Sequence, residues 1–163
     1  MAGSSTLNGK TTLIVFDSVC RFQIQVAMPD DSKGQPAEPP EWPTHFPPNC
    51  PSPDTSDTNG PVYHYVWEDA ALDFRSAYDR RRFLDRDECQ RVSLSCFVTL
   101  SAAAQSQRII KGQLAGAKIA CAELTPEHGR IQPTPTSRLP GHHSLWLRAK
   151  YIDRCGELFR TVQ

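Results

Sequence analysis

Proline is concentrated in one stretch of the chain, and this stretch limits where regular structure can form. Residues 29–61 hold ten of the fourteen prolines and few aliphatic residues. Proline fixes φ and lacks a backbone donor, so neither a helix nor a central strand is expected there. The segment divides the 163 residues into an N-terminal hairpin over 1–28, a Pro-rich strap over 29–61 and a main body over 62–163.

Aromatic residues inside the Pro-rich strap argue against a purely solvated linker. Trp42 and Phe46 lie four residues apart, shortly before Cys50. Solvated segments are poor in aromatic residues, so we expect an extended strap that packs partly on the body. A second interpretation is a polyproline-type docking segment, in which Trp42 and Phe46 bind another protein.

Alternation of apolar and polar residues predicts several strands outside the strap. Phe22, Ile24 and Val26 alternate with polar residues, which is typical of a hairpin over 11–28. The same pattern predicts strands over 62–67, 92–100, 117–124, 129–134, 142–152 and 156–163.

Two helices are expected between these strands. Asp69 is placed to cap a helix over 70–84. Ser101 is placed to cap a second helix, which is built on Ala102–Ala104, Ile109, Ile110 and Leu114 and has Gly112 and Gly116 as stop signals. Because strands outnumber helices, the sequence predicts a single α+β domain with a mainly antiparallel sheet, about two helices and the Pro-rich insert.

Charge and targeting signals exclude some classes of partner and location. Lysine plus arginine and aspartate plus glutamate number 18 each, so general attraction to nucleic acid or to an anionic membrane is not implied. No apolar run approaches the roughly 20 residues that span a bilayer. The first ten residues lack the pattern of a signal peptide, so a cytoplasmic location is expected.

The six cysteines are widely spaced and show no pattern of a metal site. No CxxC pair occurs, and no cysteine–histidine pair has zinc-finger spacing. Since a cytoplasmic location is expected, we interpret the cysteines as reduced structural thiols.

His64 lies in the middle of the strand VYHYVW. It shares one face with Val62 and Val66, while the other face carries three aromatic side chains. If the valine face is buried, His64 is a structural residue with hydrogen-bonded ring nitrogens. If the aromatic face is buried instead, His64 lines a cleft. The pattern favours the structural role without excluding the cleft.

His142, His143 and two glutamates complete the candidates for chemistry. Adjacent strand residues point to opposite faces, so His142 and His143 cannot chelate one metal, and no metal site is expected. His142 is either a cleft-edge residue or a plain strand end. Glu123 is the carboxylate expected to be partly buried, and Glu157 begins the last predicted strand.

Two short stretches resemble the ADP-ribosyltransferase fold, in particular its pertussis-toxin-like members. Val62-Tyr63-His64-Tyr65 resembles the opening Val-Tyr-Arg-Tyr strand, and residues 93–101 resemble a Ser-Thr-Ser strand that leads into a helix. The resemblance implies NAD bound over His64, Ser95 in the cleft, and Glu123 or Glu157 polarising the nicotinamide ribose. The serine strand reads Ser-Leu-Ser here, and the family's Glu-x-Glu motif is absent.

Two functions follow from these patterns. Since no standard catalytic signature is present, the first is an interaction or accessory domain that binds another protein and needs no cofactor. The alternative is an NAD-dependent ADP-ribosyltransferase-like enzyme or toxin with candidate residues His64, Ser95, Glu123 and Glu157.

Overall fold

A computed structural model describes residues 6–7, 10–11, 42–67 and 70–162 of the chain. The chain divides into two compact units, Met1–Gln35 and Pro36–Gln163. In the first unit, strand β1 (Thr6–Leu7) pairs antiparallel with strand β2 (Lys10–Thr11). The hairpin predicted over 11–28 lies almost wholly outside the described residues.

The second unit contains two antiparallel sheets. Its strands in chain order are β3 (Ser56–Asp57), β4 (Gly60–Val66), β5 (Leu94–Cys96), β6 (Lys118–Leu124), β7 (Gly129–Pro133), β8 (His143–Leu147) and β9 (Arg160–Thr161). One sheet has the order β3-β7-β8-β5, and the other has the order β4-β6-β9. This arrangement confirms a mixed α+β class with antiparallel sheets.

The helices of the described residues are short. They are α1 (Ala70–Asp73), α2 (Glu88–Arg91), α3 (Leu100–Ile109), α4 (Ala149–Ile152) and α5 (Cys155–Leu158). In α3 the N-cap is Thr99, whose hydroxyl accepts a hydrogen bond from the Ala102 amide at 3.2 Å. The prediction of Ser101 as the cap is therefore wrong, because the extended Thr99 stands three residues before the amide that it satisfies.

The helix predicted over 70–84 ends at Asp73. Beyond it, the Ser76 hydroxyl and amide both donate to the Asp79 carboxylate, at 2.7 and 3.1 Å. Such local side-chain bonds compete with helical backbone bonds. Arg81 and Phe83 then adopt positive φ values of 51° and 53°, which a right-handed helix does not allow.

Two further predictions near the C-terminal end are wrong. Glu157 lies in helix α5 rather than at the start of a strand, and the final strand β9 has two residues. After the turn at residues 126–128, strand β7 pairs with β8 and β3, so it belongs to the other sheet from β6. Gly129 permits this pairing, since a Cβ there would lie 2.1 Å from the Trp146 carbonyl oxygen.

The two sheets meet where β4 approaches the end of β5. Tyr63 and Phe97 exchange both backbone hydrogen bonds, at 2.8 and 3.0 Å. The main core lies beside this junction and combines both sheets with the C-terminal helix region; its members include Val62, Leu94, Ala122, Leu145 and Phe159.

The described part of the Pro-rich strap, residues 42–61, packs on the body. Trp42 and Phe46 contact a second buried cluster formed by Cys50, Val92 and Trp146. Cys50 also forms a disulfide with Cys89.

This disulfide corrects the expectation that all cysteines are reduced. Cys50 and Cys89 are 39 residues apart in sequence, and the packed strap brings their Cα atoms to 5.5 Å. Cys121 is disulfide-bonded as well. For Cys96 and Cys155, which are buried free thiols, the prediction is confirmed. Disulfides persist in oxidising compartments, so the Cys50–Cys89 bond argues against the predicted cytoplasmic location.

Candidate functional site

His64 is enclosed on both faces of its strand. Every side chain from Val62 to Val66 is buried, and only 9% of the His64 surface is exposed. The rings of Phe74 and Phe159 pack against the imidazole, with centroids 5.3 and 6.0 Å away. Within the described residues, the two sheets and the segment after α1 thus cover both faces of β4 at His64.

Both ring nitrogens of His64 face backbone carbonyl groups. Nδ1 lies 2.7 Å from the Ser95 oxygen, and Nε2 lies 2.8 Å from the Asp73 oxygen. Burial lowers the His64 pKa below its usual value of 6.5. The two carbonyls raise the pKa, but their effect is smaller than that of burial. The imidazole therefore joins β4 to β5 and to the end of α1, which is a structural role.

A cleft of about 560 Å³ lies beside this region. Arg75, Asp79 and Glu157 line it, together with apolar side chains that include Phe74 and Ile152. Its volume falls in the range of small-molecule sites, roughly 300–1,000 Å³. Glu157 is thus the predicted catalytic residue that reaches this cleft, and its carboxylate accepts a hydrogen bond from Arg154 Nε at 2.7 Å.

The remaining predicted residues lie elsewhere. Glu123 is exposed on β6, opposite Pro61, and partial burial raises its pKa. Ser95 contributes its backbone oxygen to His64, while its exposed hydroxyl bonds to His142. Neither residue lines the cleft that contains Glu157.

Ser95, His142 and Thr134 form a connected side-chain network. The Ser95 Oγ lies 2.5 Å from His142 Nε2. On the other side of the ring, His142 Nδ1 lies 2.9 Å from the Thr134 hydroxyl and 3.1 Å from the Thr134 carbonyl oxygen. The Thr134 hydroxyl also lies 3.1 Å from the Ser144 hydroxyl.

The carbonyl of Thr134 favours one direction for these hydrogen bonds. A carbonyl oxygen only accepts, so its contact with the ring favours the tautomer with the proton on His142 Nδ1 and a lone pair on Nε2. The Ser95 hydroxyl then donates to Nε2. Burial lowers the His142 pKa; the Thr134 carbonyl opposes this, and the neighbouring His143 and Arg86 lower it further. The imidazole is therefore neutral at pH 7.

Strand pairing and a turn place these side chains together. Ser95 lies opposite Ser144 in the β5–β8 register, and the Thr134 amide bonds to the His142 carbonyl at 3.0 Å. The turn before His142 packs closely on α3, because a Cβ at Gly141 would lie 2.9 Å from the Ala102 Cβ.

Sequence patterns predict His142 as either a cleft-edge residue or a plain strand end, and they do not point to Thr134. Ser95 and His142 are 47 residues apart, and the β5–β8 pairing brings them together.

Trp42 and Phe46, the residues predicted to bind a partner, are partly buried. Their rings stack with centroids 6.2 Å apart, and the Arg148 guanidinium lies 4.7 Å from the Trp42 ring centroid. Much of their surface is therefore already used in packing the strap.

Two neighbouring apolar side chains are exposed in the segment 80–86, RRRFLDR, which we name the arginine loop. All of its residues are exposed, and Phe83 and Leu84 are 47% and 71% exposed. The guanidinium groups of Arg82 and Arg86 lie 5.5 and 4.4 Å from the Phe83 ring centroid. The loop therefore presents apolar surface surrounded by positive charge.

No group of three or more His, Cys, Asp or Glu side chains suited to a metal ion occurs in the described ranges. Within the same residues, no helix is both long and apolar enough to cross a membrane. Comparisons with protein-family models, curated proteins and solved structures gave no match to this chain.

Proposed function

We propose that this protein is an interaction or accessory domain that binds another protein through the arginine loop. The observation that supports this most is the exposure of Leu84 and Phe83 side by side, at 71% and 47%. Interfaces are enriched in aromatic residues and arginine, and their energetic centres are anchored by such side chains.

The backbone of the arginine loop supports the same proposal. Arg81 and Phe83 both have positive φ, which costs a residue other than glycine about 1 kcal/mol or more. Local contacts hold this conformation: the Arg80 guanidinium donates to the Leu72 carbonyl at 2.5 Å, and Arg91 Nε donates to the Arg82 carbonyl at 3.2 Å. A strained backbone that displays apolar side chains is typical of a binding segment.

The charge of the arginine loop defines the partner. Four arginines stand against one aspartate in seven residues. We therefore propose a protein partner that presents an acidic surface around an apolar pocket, since complementary charge steers association and excludes other surfaces.

Selection from a displayed peptide library tests this proposal. We expect the enriched peptides to combine Asp or Glu with a large apolar residue. The double variant Phe83→Ser, Leu84→Ser should weaken their binding at least about tenfold, since an anchor residue contributes more than 1 kcal/mol. Ile109→Ser is the matched control, because Ile109 is 49% exposed and lies outside the loop. Equal binding by the double variant, verified as folded by circular dichroism, overturns the proposal.

The cleft supports a second candidate, the NAD-dependent transferase. Its volume, the Arg75 side chain and the Glu157 carboxylate suit a nucleotide and a catalytic acid. Calorimetry with NAD and with nicotinamide at millimolar concentration tests it. Binding that is weakened by Arg75→Ala supports a nucleotide site in the cleft, and the absence of binding in the wild type overturns this candidate.

A further inference from the structure

We propose that Ser95 and His142 form a nucleophile–base pair that hydrolyses carboxylic esters at the surface where β5 exposes Ser95. The proposal shares one residue, Arg86, with the arginine loop, but the reaction at Ser95 does not require the partner that this loop is proposed to bind. It rests on the geometry of three side chains: the exposed Ser95 hydroxyl, the His142 ring that accepts its proton, and the Thr134 groups that hold the ring.

The arrangement meets the geometric requirement for an activated serine. A nucleophile must lie within hydrogen-bond distance of a base, and a third group must orient the base. The Ser95 Oγ lies 2.5 Å from His142 Nε2, and Thr134 contacts Nδ1 through two oxygens. Thr134 is a positioning residue, because it fixes the tautomer in which Nε2 accepts the proton.

Each proton and bond of the reaction is accounted for. The Ser95 Oγ attacks the ester carbonyl carbon while its proton moves to His142 Nε2. The bond to the alkoxide breaks, and the leaving group takes that proton as the free alcohol. Water then attacks the acyl-serine and gives a proton to Nε2. That proton returns to Ser95 Oγ as the carboxylic acid departs, so the net reaction consumes one ester and one water.

Arg86 points to the class of ester. Its positive charge acts on His142, and its guanidinium lies over the Phe83 ring at 4.4 Å. An ester whose acyl part carries a carboxylate is therefore favoured over a neutral one. The exposure of Ser95 also allows an ester attached to a large molecule to approach.

A fluorophosphonate probe tests the nucleophile directly. We expect Ser95 Oγ to displace fluoride and form a stable phosphonyl adduct, detected as one added mass on the intact protein and located by peptide mass spectrometry. His142→Gln keeps the hydrogen-bonding capacity but removes the base, so labelling should slow at least about 100-fold. Ser137→Ala, at another exposed serine, should label as fast as the wild type.

Two outcomes overturn the proposal: no adduct on Ser95 at excess probe, or equal labelling of His142→Gln. If His142→Gln does not fold, Ser95→Cys replaces it. The rate of its alkylation by iodoacetamide is then measured against pH. We expect the rate to rise at a lower pH than for free cysteine, because the imidazole stabilises the thiolate, and a pH–rate profile equal to that of free cysteine overturns the proposal.

Hydrolysis of two model esters tests Arg86 and Thr134. We expect p-nitrophenyl succinate to be cleaved with a higher kcat/KM than p-nitrophenyl acetate, and Arg86→Ala to remove the difference. Thr134→Val should shift the pH–rate profile as well as lower kcat, because the ring loses a hydrogen-bond partner. An unchanged profile in Thr134→Val contradicts a positioning role for the Thr134 hydroxyl, since the variant keeps the Thr134 carbonyl.

Discussion

Two histidines bind the same residue, Ser95, through different groups and in different surroundings. His64 contacts the Ser95 carbonyl from inside the core, and its second nitrogen faces another carbonyl. His142 contacts the Ser95 hydroxyl at the surface, and its second nitrogen is fixed by Thr134. A histidine between carbonyl groups connects strands, whereas a histidine between a carbonyl and an exposed hydroxyl can move a proton.

The disulfide supports the scaffold on which both histidines depend. Cys89 is bonded to Cys50, and its carbonyl accepts a hydrogen bond from the Trp146 indole on β8 at 2.8 Å. Replacing both cysteines by serine should lower the free energy of unfolding by about 4 kcal/mol, since the closed loop spans roughly 40 residues. Denaturant unfolding measures this loss.

Labelling at Ser95 should persist in the folded fraction of this double-serine variant, because the network itself does not involve the disulfide. Loss of labelling in protein verified as folded would show that the strap, rather than the β5–β8 pairing, positions His142.

Variants of the two histidines should give opposite results in two assays. His142→Gln should slow fluorophosphonate labelling at least about 100-fold and cost less than about 1 kcal/mol of stability. His64→Leu should cost roughly 1–3 kcal/mol, because a buried carbonyl loses the N–H that the imidazole donates to it, and should change labelling of the folded protein only a few-fold. Denaturant unfolding and labelling rates measured on the same preparations make the comparison.

If His64→Leu instead abolishes labelling in folded protein while leaving stability intact, the roles assigned to the two histidines are contradicted.

Stability should fall as the pH drops below 6.5. Burial lowers the pKa of His64 in the folded protein, so below pH 6.5 the unfolded chain binds a proton that the folded chain does not. The free energy of unfolding therefore rises with pH in this range, by at most about 1.4 kcal/mol per pH unit for one histidine. The difference between the wild type and His64→Leu, followed by denaturant unfolding from pH 7 to pH 5, isolates this contribution. Parallel curves for the two proteins contradict it.

The sequence predicts the long elements of the fold better than the short ones. The strands β4 and β6 have clear apolar patterns over seven residues each, and both were placed within two residues of their observed bounds. The prediction of a helix over 70–84 is wrong, because the hydrogen bond between Ser76 and Asp79 replaces helical backbone bonds. The pattern of apolar residues does not reveal this bond.

The candidate sites depended on long-range pairing and were therefore harder to predict. The structural interpretation of His64 agrees with its buried surroundings, but neither face of β4 turned out to be open. The Ser95–His142 contact requires two strands to align across 47 residues, and single-sequence periodicity contains no information on that register.

The tautomers of the two imidazoles provide the most direct test of their different roles. Long-range proton–nitrogen NMR spectra at pH 7 distinguish a protonated ring nitrogen from one with a free lone pair. We expect His142 to be neutral with its proton on Nδ1 and a free lone pair on Nε2, where it accepts from Ser95. A His142 ring that is protonated on Nε2, in either the neutral or the charged form, cannot accept that proton and would contradict the assignment.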